Sequence, residues 1–175
     1  MRRTAVLVLA ASLAACAAPA PAGLDPARAQ AIEAGVRSLT DAIARDLSQE
    51  GPDAWLRHFV DDGTFFMAND GQLAFPDLAA ATSAVNAFDP TITRMGIAWE
   101  DLRIVPLSDS VAAVATPYSE VLIDTAGEEV RLGGYVTMLA VETAEGWRLQ
   151  HLHWSSVPPS PGGGEGGRPN ETERR

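Results

Sequence analysis

Lysine is missing: all 13 basic residues of this 175-residue chain are arginine. Its absence excludes the phosphate-binding loop, Schiff-base lysines, Ser–Lys hydrolases and protein kinases. Positive charge is also scarce against 23 Asp and Glu, and the formal net charge is −10. Such a chain lacks the basic stripe that phosphate contacts need, so no nucleic-acid partner is expected. Large apolar residues are fewer than the 46% hydrophobic content suggests, because 30 residues are alanine. There is no Gly-x-Ser-x-Gly elbow, and no Gly-x-Gly-x-x-Gly follows a strand, which removes support for an esterase of that type and for a dinucleotide fold.

Cysteine occurs once, at Cys16, and its surroundings read as an address. Met1-Arg2-Arg3 is a short positive segment, and Ala5 to Leu13 is an apolar run too short to span a bilayer. Leu13-Ala14-Ala15-Cys16 resembles the lipobox of bacterial lipoproteins, which implies cleavage after residue 15 and lipidation of Cys16; the other reading is an ordinary signal peptide. Ala17 rather than Asp after the cysteine resembles outer-membrane cargo. The expectation is a cell-envelope protein, lipid-anchored through Cys16 and facing the periplasm. The folded part then contains no thiol, so a disulfide, a cysteine nucleophile and a thiolate zinc site are excluded. Such a compartment offers no nicotinamide or ATP pool, and no cofactor is expected.

Four segments follow: a signal peptide at 1–15, the lipidated cysteine and a tether at 16–24, one domain at 25–157, and a Pro/Gly/Glu/Arg tail at 158–175. The tail has too little apolar surface to offset its ordering entropy and is expected to be disordered. Asp25-Pro26 reads as an N-cap and first helical residue, and Ile32, Val36, Leu39, Ile43 and Leu47 form one helical stripe. Gly51-Pro52 ends that helix and opens a short second one, with Trp55, Leu56 and Phe59 inward. Thr64 to Met67, an Asn69-Asp70-Gly71 turn and Gln72 to Phe75 read as a hairpin. Pro76 opens a third helix, stopped at Asp89-Pro90. The period then becomes two. Met95, Ile97 and Trp99 share one parity and Leu102 and Ile104 the other, which predicts a bulge at Glu100-Asp101. Strands at Val111–Ile123, Val130–Val141 and Trp147–Ser155 follow. The order α-α-β-β-α-β-β-β-β gives an α+β fold, a curved antiparallel or mixed sheet wrapped over three helices.

This order, with the Asp61-Asp62-Gly63-Thr64 turn and the closing Gly146-Trp147-Arg148-Leu149-Gln150-His151-Leu152-His153-Trp154-Ser155, resembles the nuclear-transport-factor-2-like superfamily, SnoaL-like branch. The resemblance implies a cone with a pocket open at one end and a homodimer through the outer face of the sheet. Its members include isomerases, dehydratases, hydrolases and cyclases as well as non-catalytic binding modules, so fold does not decide function. The ketosteroid-isomerase relatives carry a catalytic carboxylate near the position of Met67, and none lies between Thr64 and Ala68; that chemistry does not carry over.

Centring the hairpin turns on Ala126-Gly127 and Ala144-Glu145 pairs Tyr118 with Tyr135, Thr116 with Thr137, Val136 with His153 and Met138 with His151. This register puts Met138, His151 and His153 on the cone's interior face and Tyr118, Tyr135 and Trp154 on an outer, dimer-forming face. Trp55, Phe59, Met67 and Trp99 join the expected pocket lining, or are plain core. His151 and His153 have three readings: a metal pair, for which His58 is the only other histidine; an acid/base group in an apolar cavity; or a structural pair. The leading expectation is a cone that binds a small, mostly apolar molecule without catalysis. The alternatives are an isomerase, dehydratase or hydrolase using His151 or His153, and a homodimeric protein-interaction module.

Overall fold

The computed structural model describes residues 23–157. The signal segment, Cys16, the tether as far as residue 22 and the tail 158–175 lie outside the described residues.

Helix α1 (Pro26–Glu50) begins where the Asp25 carboxylate accepts a hydrogen bond from the Ala27 N–H, with Pro26 supplying a preset first turn. All five residues of its apolar stripe are buried. It ends at Gly51, whose φ of 91° suits glycine. A 3-10 helix (Pro52–His58) then folds back on α1 and is tied there by one carboxylate. Asp46, on the last turns of α1, forms an ion pair with Arg57 at 2.8 Å and a hydrogen bond with His58 Nε2 at 3.0 Å.

Strands β1 (Phe66–Asn69) and β2 (Gln72–Phe75) form the expected hairpin. Asp70 (φ 47°) and Gly71 (φ 81°) both take the positive φ that a tight hairpin turn requires. Helix α2 (Leu78–Phe88) starts two residues after Pro76, because Asp77 caps it through the Ala80 N–H. The remaining strands are β3 (Ile92–Trp99), β4 (Arg103–Ser108), β5 (Val111–Asp124), β6 (Glu129–Thr143) and β7 (Gly146–Ser156).

The seven strands form one mixed sheet in the order β2-β1-β7-β6-β5-β3, with β4 also on β5. Among these strands, β1 and β7 are the one pair that runs parallel. Strands β3 and β4 lie along the same edge of β5. Between the pairs Trp99–Tyr118 and Arg103–Ala115, three residues on one side face two on the other. That is the additional residue predicted at Glu100-Asp101, and it restores the inward parity of Ile104. Glu100 closes the gap by donating its N–H to Pro117 and accepting from the Thr116 hydroxyl. The sheet's concave face packs on α1 through Ala112, Val114, Val136, Met138, Ala140, Leu149 and Leu152, all buried.

Two expected registers are corrected. In the β5–β6 hairpin, Tyr118 pairs with Gly134 and Thr116 with Val136. The connection is a five-residue loop centred on Ala126, because the Asp124 carboxylate accepts from the N–H groups of Ala126 and Glu128. The one-residue shift reverses the face of every β5 side chain. In the β6–β7 hairpin the expected register holds as far as Ala140–Leu149. It then slips by one, giving Leu139–His151, Met138–Leu152 and Val136–Trp154. Gln150 is the additional residue, and its amide donates to the Thr64 hydroxyl at 2.7 Å. The bulge brings Leu149 and Leu152, three apart in sequence, onto one buried face.

Candidate functional site

Beyond the packed end of the sheet, the concave face and α2 diverge around a cavity of about 350 Å³. Leu47 closes its floor from α1, and Pro52 and Trp55 enter from the 3-10 helix. Met67 and Asn69 of β1, Phe75 of β2, and Met95 and Ile97 of β3 add to the wall. Helix α2 contributes Ala84, Val85 and Phe88, and β6 contributes Leu132. Phe88 and Leu132 are exposed, which places them at the mouth. The polar contribution is small: Asn69, Tyr118, Glu120 and Ser156.

The placement of the expected residues follows from the registers. Trp55 and Met67 line the cavity. Phe59 and Met138 are buried in the packed core instead. Phe59 stacks between Trp55 and Phe65 at centroid distances of 4.7 and 4.4 Å. Trp99 packs beside Trp154 and spends its indole N–H on the Thr40 carbonyl, 2.9 Å away. His151 and His153 are not in the cavity. The Gln150 bulge turns both to the convex face, into a shallow groove with Phe66, Thr137 and Leu139. There Phe66 stacks on His151 at 4.0 Å, and burial lowers the imidazole's pKa. Tyr118 and Trp154, expected on the dimer face, are cavity walls; Tyr135 is on the convex face and exposed. Among the described residues no three His, Cys, Asp or Glu side chains are grouped to hold a metal.

The residue that sequence reading missed is Glu120. It shares the inward parity of Tyr118, and its partners in register are Ile97 and Leu132, both of them cavity residues. Burial alone pushes its carboxyl from an ordinary 4.5 up to about 6. A single acid within the apolar run from Val111 to Ile123 was the available signal; the shifted register hid it by assigning that parity outward. Nearby, Ser156 is fixed by Asp70, which accepts from its N–H at 2.7 Å and its hydroxyl at 2.9 Å. Those two bonds hold the Asp70 carboxyl below its usual range. Burial raises the Tyr118 phenol, with the Ser156 hydroxyl acting in the opposite sense. Trp154 Nε1 is buried with no hydrogen-bond partner among the described residues. The arrangement is an apolar chamber with one carboxylate and one phenol, beside the Asn69 amide, the Ser156 hydroxyl and the indoles of Trp55 and Trp154.

The fold recurs in solved structures. A protein from Novosphingobium aromaticivorans, provisionally named a scytalone dehydratase, superposes with a TM-score of 0.65 at 11% identity, covering 74% of this chain and 86% of that one. A provisionally named dehydratase of the nuclear-transport-factor-2-like family from Streptomyces avermitilis gives 0.63 at 13% identity, covering 74% and 99%. A nuclear-transport-factor-2-like superfamily protein from Salmonella enterica gives 0.62 at 12% identity, covering 78% and 98%. At these identities the likeness is one of fold. No curated protein matches the chain. The model of the SnoaL-like domain matches residues 36–160, from the middle of α1 through the end of β7. The chain belongs to the SnoaL-like domain family, within the nuclear-transport-factor-2-like fold.

Proposed function

We propose that the cone binds one small, mostly apolar molecule and returns it unchanged. The observation that carries this reading is the cavity itself: about 350 Å³, walled largely by apolar and aromatic side chains, with a few polar groups placed to orient a ligand. The test is direct. A chain carrying Cys16→Ser is purified from its own cell extract and examined by native mass spectrometry for a co-purifying molecule. Ala84→Trp, which places an indole in the cavity wall, is expected to empty it while leaving the melting temperature within a few degrees. An adduct retained at full occupancy by the Trp variant would rule the cavity out as its location.

One observation favours a second reading. A half-buried carboxyl near pKa 6 is suited to take up and return a proton at neutral pH. Two of the structural neighbours are named as dehydratases. In that reading Glu120 is the acid/base and Tyr118 the nearby donor. His151 and His153 have no part in it, because both face away from the cavity. Turnover of a hydroxylated cyclic ketone by the wild type and its loss in Glu120→Gln would favour the enzyme.

The cellular address belongs to the same proposal: a domain held at the envelope by a lipid on Cys16. Palmitate labelling that persists in a Cys16→Ser chain would refute it.

A further inference from the structure

The binding reading leaves the ligand's chemistry open, and the inference here rests on that reading. We infer that the cavity selects an organic cation, a hydrophobic amine or quaternary ammonium, whose charge sits against the Glu120 carboxylate and the rings of Trp55, Tyr118 and Trp154.

The first argument is charge balance. Glu120 is half-buried, and among the described residues neither arginine nor histidine lines the cavity around it. Its strand neighbours, Ile97 and Leu132, offer it no hydrogen bond from a side chain. Burial is the sole influence on its carboxyl, with no positive charge acting in the opposite sense. A carboxylate in such a place is costly until something pairs with it. A ligand cation supplies the missing charge, whereas an anion adds repulsion and a neutral molecule leaves the carboxylate unpaired.

The second argument is the shape and chemistry of the wall. Tyr118 meets Trp154 with ring planes at 86° and centroids 4.6 Å apart. Trp55 meets the same indole at 71° and 6.3 Å. Tyr118 and Trp55 each stand at a steep angle to Trp154, an aromatic corner of the kind that attracts alkylated ammonium groups through ring faces. Tyr118 and Glu120 are alternate residues of one strand and share the face that bears this corner. The chain's net charge of −10 acts in the same direction at long range, concentrating cations at the surface.

The experiment compares three probes that share a naphthylmethyl group by titration calorimetry on the full chain carrying Cys16→Ser: the cation 1-naphthylmethylamine, the neutral 1-naphthalenemethanol and the anion 1-naphthaleneacetate. The amine is expected to bind about tenfold more tightly than the alcohol, with the acetate weakest. In Glu120→Gln, which keeps the side chain's shape, the amine's advantage is expected to vanish while the alcohol's affinity stays within about twofold. Equal binding of amine and alcohol by the wild type overturns the inference and leaves the binding reading standing. So does an amine preference that survives in Glu120→Gln, or an acetate that binds as well as the amine. If none of the three binds, the binding reading itself falls, and this inference with it.

Discussion

Tyr118 and Trp154 touch edge to face at 4.6 Å although their strands, β5 and β7, are separated by β6. Their partners on β6 are Gly134 and Val136 respectively. Gly134 has no side chain, and it is paired with Tyr118 on one side and Ser156 on the other. The middle strand is therefore bare where the aromatic wall crosses it, and the cavity's polar group Ser156 is placed by the same pairing.

This contact makes Gly134 a sensitive position. A Cβ there would lie 2.0 Å from the Ser155 carbonyl oxygen, which is backbone and cannot rotate away. Gly134→Ala is expected to push β7 off β6 and to cost more than about 2 kcal/mol in urea unfolding. It should also weaken ligand binding, because Ser156 and Trp154 move with β7. A variant as stable as the wild type would show that the strands separate freely at this point.

Glu120 gives a stability signature that does not depend on a ligand. Its carboxyl is raised from 4.5 to about 6 by burial, so the native state holds a proton more tightly than the unfolded chain does. The stabilisation is complete below about pH 4.5 and is lost as the pH rises through 6, by about 2 kcal/mol. Glu120→Gln, which cannot ionise, is expected to be more stable than the wild type by up to that amount at pH 7.5 and no more stable at pH 4. Melting curves at both pH values check this. A constant difference across the range would mean that Glu120 does not titrate in this window.

How far the sequence determined these features is seen in individual residues. The α1 stripe was legible because five large side chains repeat at helical spacing. The Glu100–Asp101 bulge was legible because apolar residues on either side of it change parity. The same parity argument applies to Leu149 and Leu152, but there the alternation of His151 and His153 with apolar neighbours imitates a regular strand. The β5–β6 loop is decided by one side chain, Asp124, bonding to two backbone N–H groups. A two-residue turn and a five-residue loop differ little in composition, yet they put opposite faces of β5 inward. Both histidines, both aromatic walls and Glu120 changed sides through those two events. The architecture was legible and the site was not, because a site depends on the last residue of register.

Gly35 on α1 lies against the edge of Trp147 at the start of β7; a Cβ there would be 2.5 Å from the indole Nε1. Gly35→Ala is expected to destabilise the domain by about 1–3 kcal/mol, even though alanine favours helix over glycine. Combining it with Trp147→Ala, which removes the ring that the added Cβ would meet, should shrink the cost of Gly35→Ala in a double-mutant cycle. Additive effects would show that Trp147 simply swings aside.

The convex face carries exposed Tyr135 and Phe66 beside the His151 groove, and the homodimer that the sequence resemblance implies is expected to form through this face. Sedimentation equilibrium is expected to give twice the chain mass for the wild type and the single mass for Tyr135→Arg. A wild-type monomer, or a dimer indifferent to Tyr135→Arg, would place any association elsewhere.

The ionic knot between α1 and the 3-10 helix should make the domain acid-sensitive in two stages. Burial lowers the pKa of His58 below 6.5 although its bond to Asp46 acts the other way. The native state then binds fewer protons than the unfolded chain, and stability is lost as the pH falls below about 6.5. Asp46 is held below 3.8 chiefly by its hydrogen bond from Arg57, so its contribution is present above that value and is lost as the pH falls through its lower native pKa. His58→Gln is expected to flatten the upper stage, leaving only the rise from Glu120 between pH 6 and 4.5. Asp46→Asn is expected to lower the melting temperature at pH 7, with the deficit closing once the wild-type carboxylate is itself protonated. A deficit that stays constant down to pH 2 would mean that Asp46 acts through packing rather than through its charge.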